Sequence, residues 1–334
     1  MVTTDYCISR ILEKAESIYN GKIVNKETLG NSANMVFELL TEGNPIILRI
    51  SECTEYKEKH INFELSWLKY LSGEITEVIK PILTEKGKLY EIISVSEKSY
   101  IICAFEKAQG RIVNPKNHNE WNENLFYKLG TTMGSIHKNS RQYTLTEQEK
   151  LSFQWNEDFA FSFEFNLPDD SEVLKVWNKI ICELEKLPKT EDSYGIIHND
   201  LHHFNFFVDV DKIKVFDFDD CICSWYSFDI VLTLFQFVST ISYKEPQVRN
   251  VFAEKFIFSF LKGYKTQKNL ESFWIDKFDL FLRYRRICSY KFFKAMFSKE
   301  PINSYAEYLT WLRKEIIYDK PFISINFEKI YESL

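Results

Sequence analysis

Glycine and proline are scarce, at 10 and 8 of 334 residues, about half their usual share. This excludes a collagen-like chain and a disordered, linker-rich one. An excess of basic charge is also missing. The formal net charge is −6, which argues against a nucleic-acid partner, because such proteins usually present a basic face. The N-terminal stretch MVTTDYCISRILEKAESIYN lacks the apolar core of a secretory signal. The longest nearly uncharged apolar run, Ile230–Tyr243, is shorter than a membrane span and is interrupted by Gln236, Ser239, Thr240 and Ser242. Seven cysteines are scattered, and only Cys221 and Cys223 lie close together, so no paired zinc-type spacing exists. These absences point to a cytoplasmic protein with reduced thiols, bound neither to membrane nor to nucleic acid. No repeat of 20–50 residues is present.

What the chain has in quantity is aromatic side chains: 29 Phe, 18 Tyr and 7 Trp. Apolar residues make up 45% and charged residues 27%, as in an ordinary globular protein. The length suits about two domains. Ile8, Ile11, Leu12, Ala15 and Ile18 have helical spacing, which predicts a helix over 4–20. Two apolar runs, Met35–Leu40 and Pro45–Ile50, flank the polar segment Thr41-Glu42-Gly43-Asn44 and predict a β-hairpin. A helix over 55–72 follows, then strand-like pieces at Val78–Thr84, Leu89–Val95 and Tyr100–Phe105. Beyond Asn119 the pattern is mostly helical, at about 119–140, 170–187, 227–242, 246–264, 273–297 and 302–318, with one hairpin near 205–218. The expected fold class is α+β. A small antiparallel-sheet lobe with one interposed helix spans 1–105, and a larger, mainly helical lobe spans 106–334, leaving a cleft between them for ligands.

Chemistry concentrates in GIIHNDLHHFNFFVDVDKIKVFDFDD, residues 195–220, which hold three of the protein's six histidines. A hairpin turn at Val210-Asp211-Lys212, centred on Asp211, would place Asn205 directly opposite Asp217. Such cross-strand partners have Cβ atoms about 4.5–5.5 Å apart on one face. An amide oxygen and a carboxylate there could share one hard cation, such as Mg²⁺, whose remaining ligands are phosphate and water. A one-residue slip would separate them onto opposite faces. Asp200 lies five residues before Asn205, so a carboxylate stands close to the candidate metal. A carboxylate so placed can accept the proton of an attacking hydroxyl.

His198-x-Asp200-x-x-x-x-Asn205 followed by Asp217-Phe218-Asp219 resembles the catalytic signature of the aminoglycoside phosphotransferase and choline kinase-like family, which has the two-lobed protein-kinase-like fold. Ile-Ile-His-Asn-Asp-Leu-His, Phe-Asp-Phe-Asp-Asp and the later Ser-Phe-Asp-Ile-Val are similar to that family's characteristic words. The resemblance is most specific over 195–232. It implies ATP and Mg²⁺ as cofactors and a small-molecule hydroxyl as acceptor. Asp200 would be the catalytic base, Asn205 and Asp217 would hold Mg²⁺, and His198 and Asp229 would support the loop. In the small lobe, Gly30, Asn31, Ser32 and Asn34 would lie over the ATP phosphates. Arg49 would pair the α/β-phosphates with Glu64 as its ion-pair partner. Cys103–Glu106, including Phe105, would be the connector whose backbone binds adenine. Two features depart from the protein-kinase pattern: the loop has a single glycine, and the cation is Arg in place of Lys, so it would grip phosphate as a planar fork.

Other readings of the same residues remain open. His198, His202 and His203 could be zinc ligands, although a fourth ligand at suitable spacing is missing. Asp219 could contact metal or simply face solvent, and His137 reads as a structural residue near a helix end. Residues 151–170 alternate aromatics with acids (Phe153, Trp155, Glu157, Asp158, Phe161, Phe163, Glu164), a composition suited to a cationic amine. Against this, Arg283, Arg285, Arg286, Lys291 and Lys294 form a basic stretch on a late helix, which would suit an anionic acceptor if it lined the cleft. A protein Ser/Thr kinase on the same scaffold is disfavoured by the short interval between Asp217 and Asp229. A non-catalytic scaffold protein is disfavoured because no signature residue is lost.

Overall fold

The computed structural model describes residues 2–29, 34–157, 170–299 and 303–334. Backbone contacts divide the chain into two compact units. The first comprises Met1–Arg111 with Phe207–Asp219, and the second Ile112–Phe206 with Asp220–Leu334.

In the first unit the apolar stripe Ile11, Leu12 and Ala15 of α1 (Val2–Tyr19) is buried against a sheet. Strands β1 (Gly21–Ile23), β2 (Met35–Thr41), β3 (Pro45–Glu52), β4 (Pro81–Ile82), β5 (Tyr90–Val95) and β6 (Lys98–Glu106) form it, in the order β1-β2-β3-β6-β4 with β5 also on β6. β2 and β3 pair from Met35 opposite Ile50 to Leu40 opposite Pro45. The alternation of side chains along the strands sends Phe37 and Leu39 into the core beside Leu48 and Ile50. Helix α2 (Glu55–Glu74) starts at Thr54, whose hydroxyl accepts the Lys57 N–H, and has Glu55 and Glu58 in its first turn.

The segment 207–219 completes this unit. Strands β8 (Phe206–Asp209) and β9 (Lys212–Val215) form a hairpin, and Val215 bridges to Val78. Lys214 ion-pairs with Glu106 at 2.6 Å, and Phe218 meets the Trp67 ring edge-on at 5.6 Å. Gly110 touches the same hairpin: at φ 100° it lies where an added Cβ would come within 2.4 Å of the Val208 carbonyl oxygen.

The second unit is mainly helical. Helix α3 (Glu123–Ser140) is capped by the Asn122 carboxamide oxygen, and α4 (Glu147–Leu151) by a reciprocal Thr146–Glu149 box. Helix α5 (Ser171–Leu184) follows, then the strand pair β7 (Tyr194–Ile197) and β10 (Ile222–Trp225). Beyond these come α6 (Tyr226–Val238), α7 (Pro246–Tyr264), the single turn α8 (Ser272–Ile275), α9 (Phe278–Lys299), α10 (Asn303–Ile317) and α11 (Phe327–Glu332). The sequence pattern merges α8 and α9 into one helix, but the chain breaks between them at Asp276 and Lys277. The apolar run beginning at Ile230 is core, since nearly every side chain of α6 is buried. Helices α3 and α7 meet backbone to backbone. A Cβ on Gly130 would fall 1.9 Å from the Phe260 carbonyl oxygen, and one on Gly263 2.0 Å from that of Tyr127. No helix among the described residues is long and apolar enough to cross a membrane.

Candidate active site

Strand β7 ends at Ile197 and releases the chain into the His198–Asn205 loop, while its partner β10 runs directly into α6. Asp229, in the first turn of α6, is fully buried. Its Oδ2 accepts the His198 N–H at 3.1 Å and its Oδ1 the Asn199 N–H at 3.0 Å. His137 Nε2, on α3, meets the same carboxylate at 2.9 Å while its Nδ1 faces the Tyr264 hydroxyl at 3.0 Å. Burial pushes the His137 imidazole below its ordinary range despite that carboxylate. Asn199 adopts φ 66° and donates its side-chain amide to the Asp220 carbonyl. A buried acid thus fixes two consecutive amides of the loop, and His198 is held within it, its Nδ1 accepting the Asp200 N–H at 3.4 Å.

Asp200 is held at both oxygens. Gln236 Nε2, on α6, donates to Oδ1 at 3.1 Å, and His202 Nε2 and Asn205 Nδ2 reach Oδ2 at 3.2 and 3.3 Å. Because His202 Nδ1 accepts the Phe204 N–H at 3.1 Å, its proton is assigned to Nε2, facing Asp200. Burial works to raise the Asp200 carboxyl, but His202, Arg285 and His198 together hold it below the usual range. It is therefore an ionised acceptor at neutral pH. Asn205 also donates Nδ2 to the Asp200 carbonyl at 2.9 Å, which leaves its side-chain oxygen as the unused, hard donor. His202 belongs to the Asp200 carboxylate and His203 packs at a tilt against Phe204, ring centroids 3.9 Å apart; no cluster of three or more His, Cys, Asp or Glu suited to a metal exists among the described residues. The zinc reading has nothing to rest on there.

Asp200 and His202 also line a cavity of about 780 Å³ that lies entirely within the second unit. Its walls are largely aromatic, with Phe235, Tyr243, Phe292 and Trp311 among them. Arg249 and Arg285 reach it as well. Of residues 151–170, the positions Asp158, Phe161, Phe163 and Glu164 lie outside the described residues.

In the first unit, Arg49 on β3 and Glu64 on α2 form a bidentate ion pair at 2.9 and 2.5 Å, both side chains buried. Burial opposes the Arg49 charge, but Glu64 holds the guanidinium firmly protonated. Its face lies 5.1 Å from the Phe105 ring centroid. Asp217 and Asp219 are hydrogen-bonded to each other, and Asn34 Nδ2 donates to Asp219 Oδ2 at 2.8 Å while its oxygen accepts from Ser51 Oγ at 2.7 Å. Loss of solvation and the neighbouring Asp219 push the Asp217 carboxyl up to about 8. Asp219 itself is kept low against its own burial by Arg49 and Lys57. The pair shares a proton because two adjacent carboxylates cannot both ionise cheaply. All-oxygen, anionic donors of this kind suit a hard divalent cation.

Three sequence expectations need correction or placing. The hairpin turn is Val210-Asp211 alone, one residue shorter than expected, and the β9 ladder ends at Val215. Asp217 sits beyond the ladder at φ 64°, so no cross-strand register places it opposite Asn205. Cys103 and Phe105 are not a connector. Both lie within β6, with Cys103 paired to Arg49 on one side and Tyr90 on the other, and Phe105 to Ile47 and Pro81. Their backbone groups are consumed by the sheet, and unladdered chain begins only at Lys107. Gly30, Asn31 and Ser32 lie outside the described residues.

The partners that sequence reasoning missed are distant in the chain. Gln236 had one usable signal, since it lies two helical turns from Asp229 on α6 and thus on the same face. Nothing in the sequence links Asn34 to Asp219, or His137 to Asp229.

Comparison with known proteins adds to this geometry. The model of the family described as "Phosphotransferase enzyme family" matches residues 27–261. The amicoumacin kinase of Bacillus subtilis (strain 168) is 29% identical over 326 residues, covering 96% of this chain and 95% of that protein. A solved structure of an amicoumacin kinase in complex with AMP-PNP, Ca²⁺ and Ami superposes with a TM-score of 0.86 at 28% identity, covering 99% of this chain and all of the other (100%). A microcompartment-associated aminopropanol kinase, at 18% identity, shares the fold with a TM-score of 0.65 over 92% of this chain and 95% of its own.

Proposed function

The chain belongs to the phosphotransferase enzyme family, and on that basis we propose that it transfers the γ-phosphoryl group of ATP to a hydroxyl of a small molecule, amicoumacin first among the candidates. The observation that carries the reaction class at the level of side chains is Asp200. Its carboxylate is ionised, fixed at both oxygens and open to a cavity of about 780 Å³, large enough for a drug-sized acceptor.

The work asked of these residues is positioning and charge placement, which dominate phosphoryl transfer. Asp200 accepts the hydrogen bond of the acceptor hydroxyl and takes its proton as the oxygen bonds to the γ-phosphorus and the bond from that phosphorus to the bridging oxygen breaks, releasing ADP. Gln236 and His202 keep the carboxylate from rotating. Asp229 and His137 keep the loop's backbone in place. Arg49, oriented by Glu64, offers its charge to the phosphates. Magnesium, when bound, offsets negative charge on the phosphate oxygens. Asn205 and Asp217 are assigned as its protein ligands on the strength of the family signature, with Asp219 adjacent. The Asp217–Asp219 pair fits that role because its shared proton is one a divalent cation would displace.

The test uses the purified chain with MgATP and, separately, amicoumacin, spectinomycin, aminopropanol and choline. Acceptor-dependent ADP release together with a new phosphate-ester resonance by ³¹P NMR is the expected result. ADP release that no acceptor stimulates would overturn the reading.

A further inference from the structure

The cavity next to Asp200 holds two arginines that form no close ion pair among the described residues. Arg249, on α7, is only 4% exposed, lines the cavity and ion-pairs with no carboxylate among the described residues. Its guanidinium lies 4.2 Å from the Phe322 ring centroid and 5.9 Å from that of Trp311, and its Nε has no hydrogen-bond partner among the described residues. Arg285, on α9, is half-buried, lines the same cavity and likewise forms no close ion pair among the described residues, where its Nε has no hydrogen-bond partner either. It is close enough to Asp200 to help hold that carboxyl ionised. Its neighbours on α9 are spoken for: Arg283 pairs with Asp319 at 2.7 Å, Arg286 donates to the Lys320 carbonyl, Lys294 pairs with Asp170, and Lys291 sits over the Trp177 ring. The basic stretch of this helix therefore reduces, at the cavity, to Arg285.

Burying a guanidinium without a close partner is costly, so Arg249, buried in a cavity that Arg285 also lines, is set up to receive an anion there. The walls around them are flat rings. Tyr243 lies against Trp311 with centroids 4.6 Å apart, and Tyr308 is 5.5 Å from Tyr243. Planar rings and a guanidinium fork together recognise a planar group that carries an anionic oxygen.

We propose that Arg249 and Arg285 form a receptor for an aromatic carboxylate or acidic phenol on the phosphoryl acceptor. The hydroxyl that is phosphorylated would be a second group of that molecule, presented to Asp200. The enzyme would thus select acceptors by an anionic aromatic end. This inference rests on the reading of Asp200 as the residue that faces the acceptor.

The test is a binding experiment that needs no turnover. Salicylate, benzylamine and inorganic phosphate are titrated separately into the full chain by calorimetry or ligand-observed NMR. Salicylate is expected to bind at least tenfold more tightly than benzylamine or phosphate. That affinity should fall at least tenfold in Arg249→Met and in Arg285→Met and be largely retained in Arg285→Lys. Arg285 is less buried than Arg249, so its two variants keep the test decisive if Arg249→Met does not fold. Benzylamine binding as tightly as salicylate, or salicylate binding unaffected by the Arg285 change, would overturn the receptor. So would undetectable binding of all three. Phosphate binding as tightly as salicylate would assign the arginines to the transferred phosphoryl group and also overturn it. Acceptor-dependent ADP release, measured separately, decides the kinase reading independently of these outcomes.

Discussion

Asp200 combines two properties that a lone surface carboxylate lacks: it is fixed in direction and held in the charged state. Asp200→Asn removes the proposed proton acceptor but preserves shape. The expected outcome is a fall in kcat of about 10²–10⁴-fold, with the KM for MgATP little changed, read in a coupled ADP assay. Gln236→Ala frees one carboxylate oxygen to rotate. It should lower kcat about tenfold, in line with the loss of one hydrogen bond to a charged group, again without moving the KM for MgATP. Asp217 gives a pH signature. Its carboxyl is raised to about 8 in the folded chain, against about 3.9 when unfolded. A group so raised contributes stability that is complete below pH ~4 and is lost as pH climbs through about 8. With EDTA present, wild-type Tm should therefore fall between pH 6 and 9 more steeply than that of Asp217→Asn. Added Mg²⁺ should restore the wild type at pH 9 and leave the variant unmoved. Equal slopes for the two proteins would contradict the shared-proton arrangement.

The strand–helix pair β3–α2 is pinned by the Arg49–Glu64 ion pair, in which both charges are buried and both carboxylate oxygens accept from the guanidinium. Removing one partner leaves the other uncompensated, so Glu64→Gln should cost about 3–5 kcal/mol in a urea unfolding experiment. A cost below 1 kcal/mol would show that water reaches the arginine. Elements such as this one were legible in the sequence where the signal is local. The β2–β3 hairpin follows from two apolar runs around the polar Thr41–Asn44 turn, and α2 from its periodicity. The His198-x-Asp200 and Asn205 spacing is local too. What could not be read depends on conformations that residue type disfavours. Val210, a β-branched residue at φ 52°, makes a two-residue turn where a longer one was expected, and Asp217 at φ 64° leaves the ladder altogether. The tertiary hydrogen bonds from Gln236 to Asp200, from Asn34 to Asp219 and from His137 to Asp229 join residues far apart in the chain, and periodicity carries no information about them.

Across the whole molecule, the first unit is assembled from two stretches of chain separated by almost a hundred residues of the second. Gly110 marks one of the joins, with its Cα against the Val208 carbonyl. Gly110→Ala should cost at least about 1–3 kcal/mol from its backbone conformation alone, before the steric overlap is counted. A thermal scan of the variant showing unchanged Tm would mean that the hairpin is not seated on that glycine. Helix α7 serves two purposes at once. One end joins α3 main chain to main chain through Gly130 and Gly263, and the other carries Arg249 to the cavity. Contact between backbones leaves no side chain to exchange, so descendants of this protein can explore new acceptors by rewriting cavity residues while that seam stays as it is. Diversification of the enzyme toward different small-molecule acceptors is thereby uncoupled from the risk of losing the scaffold.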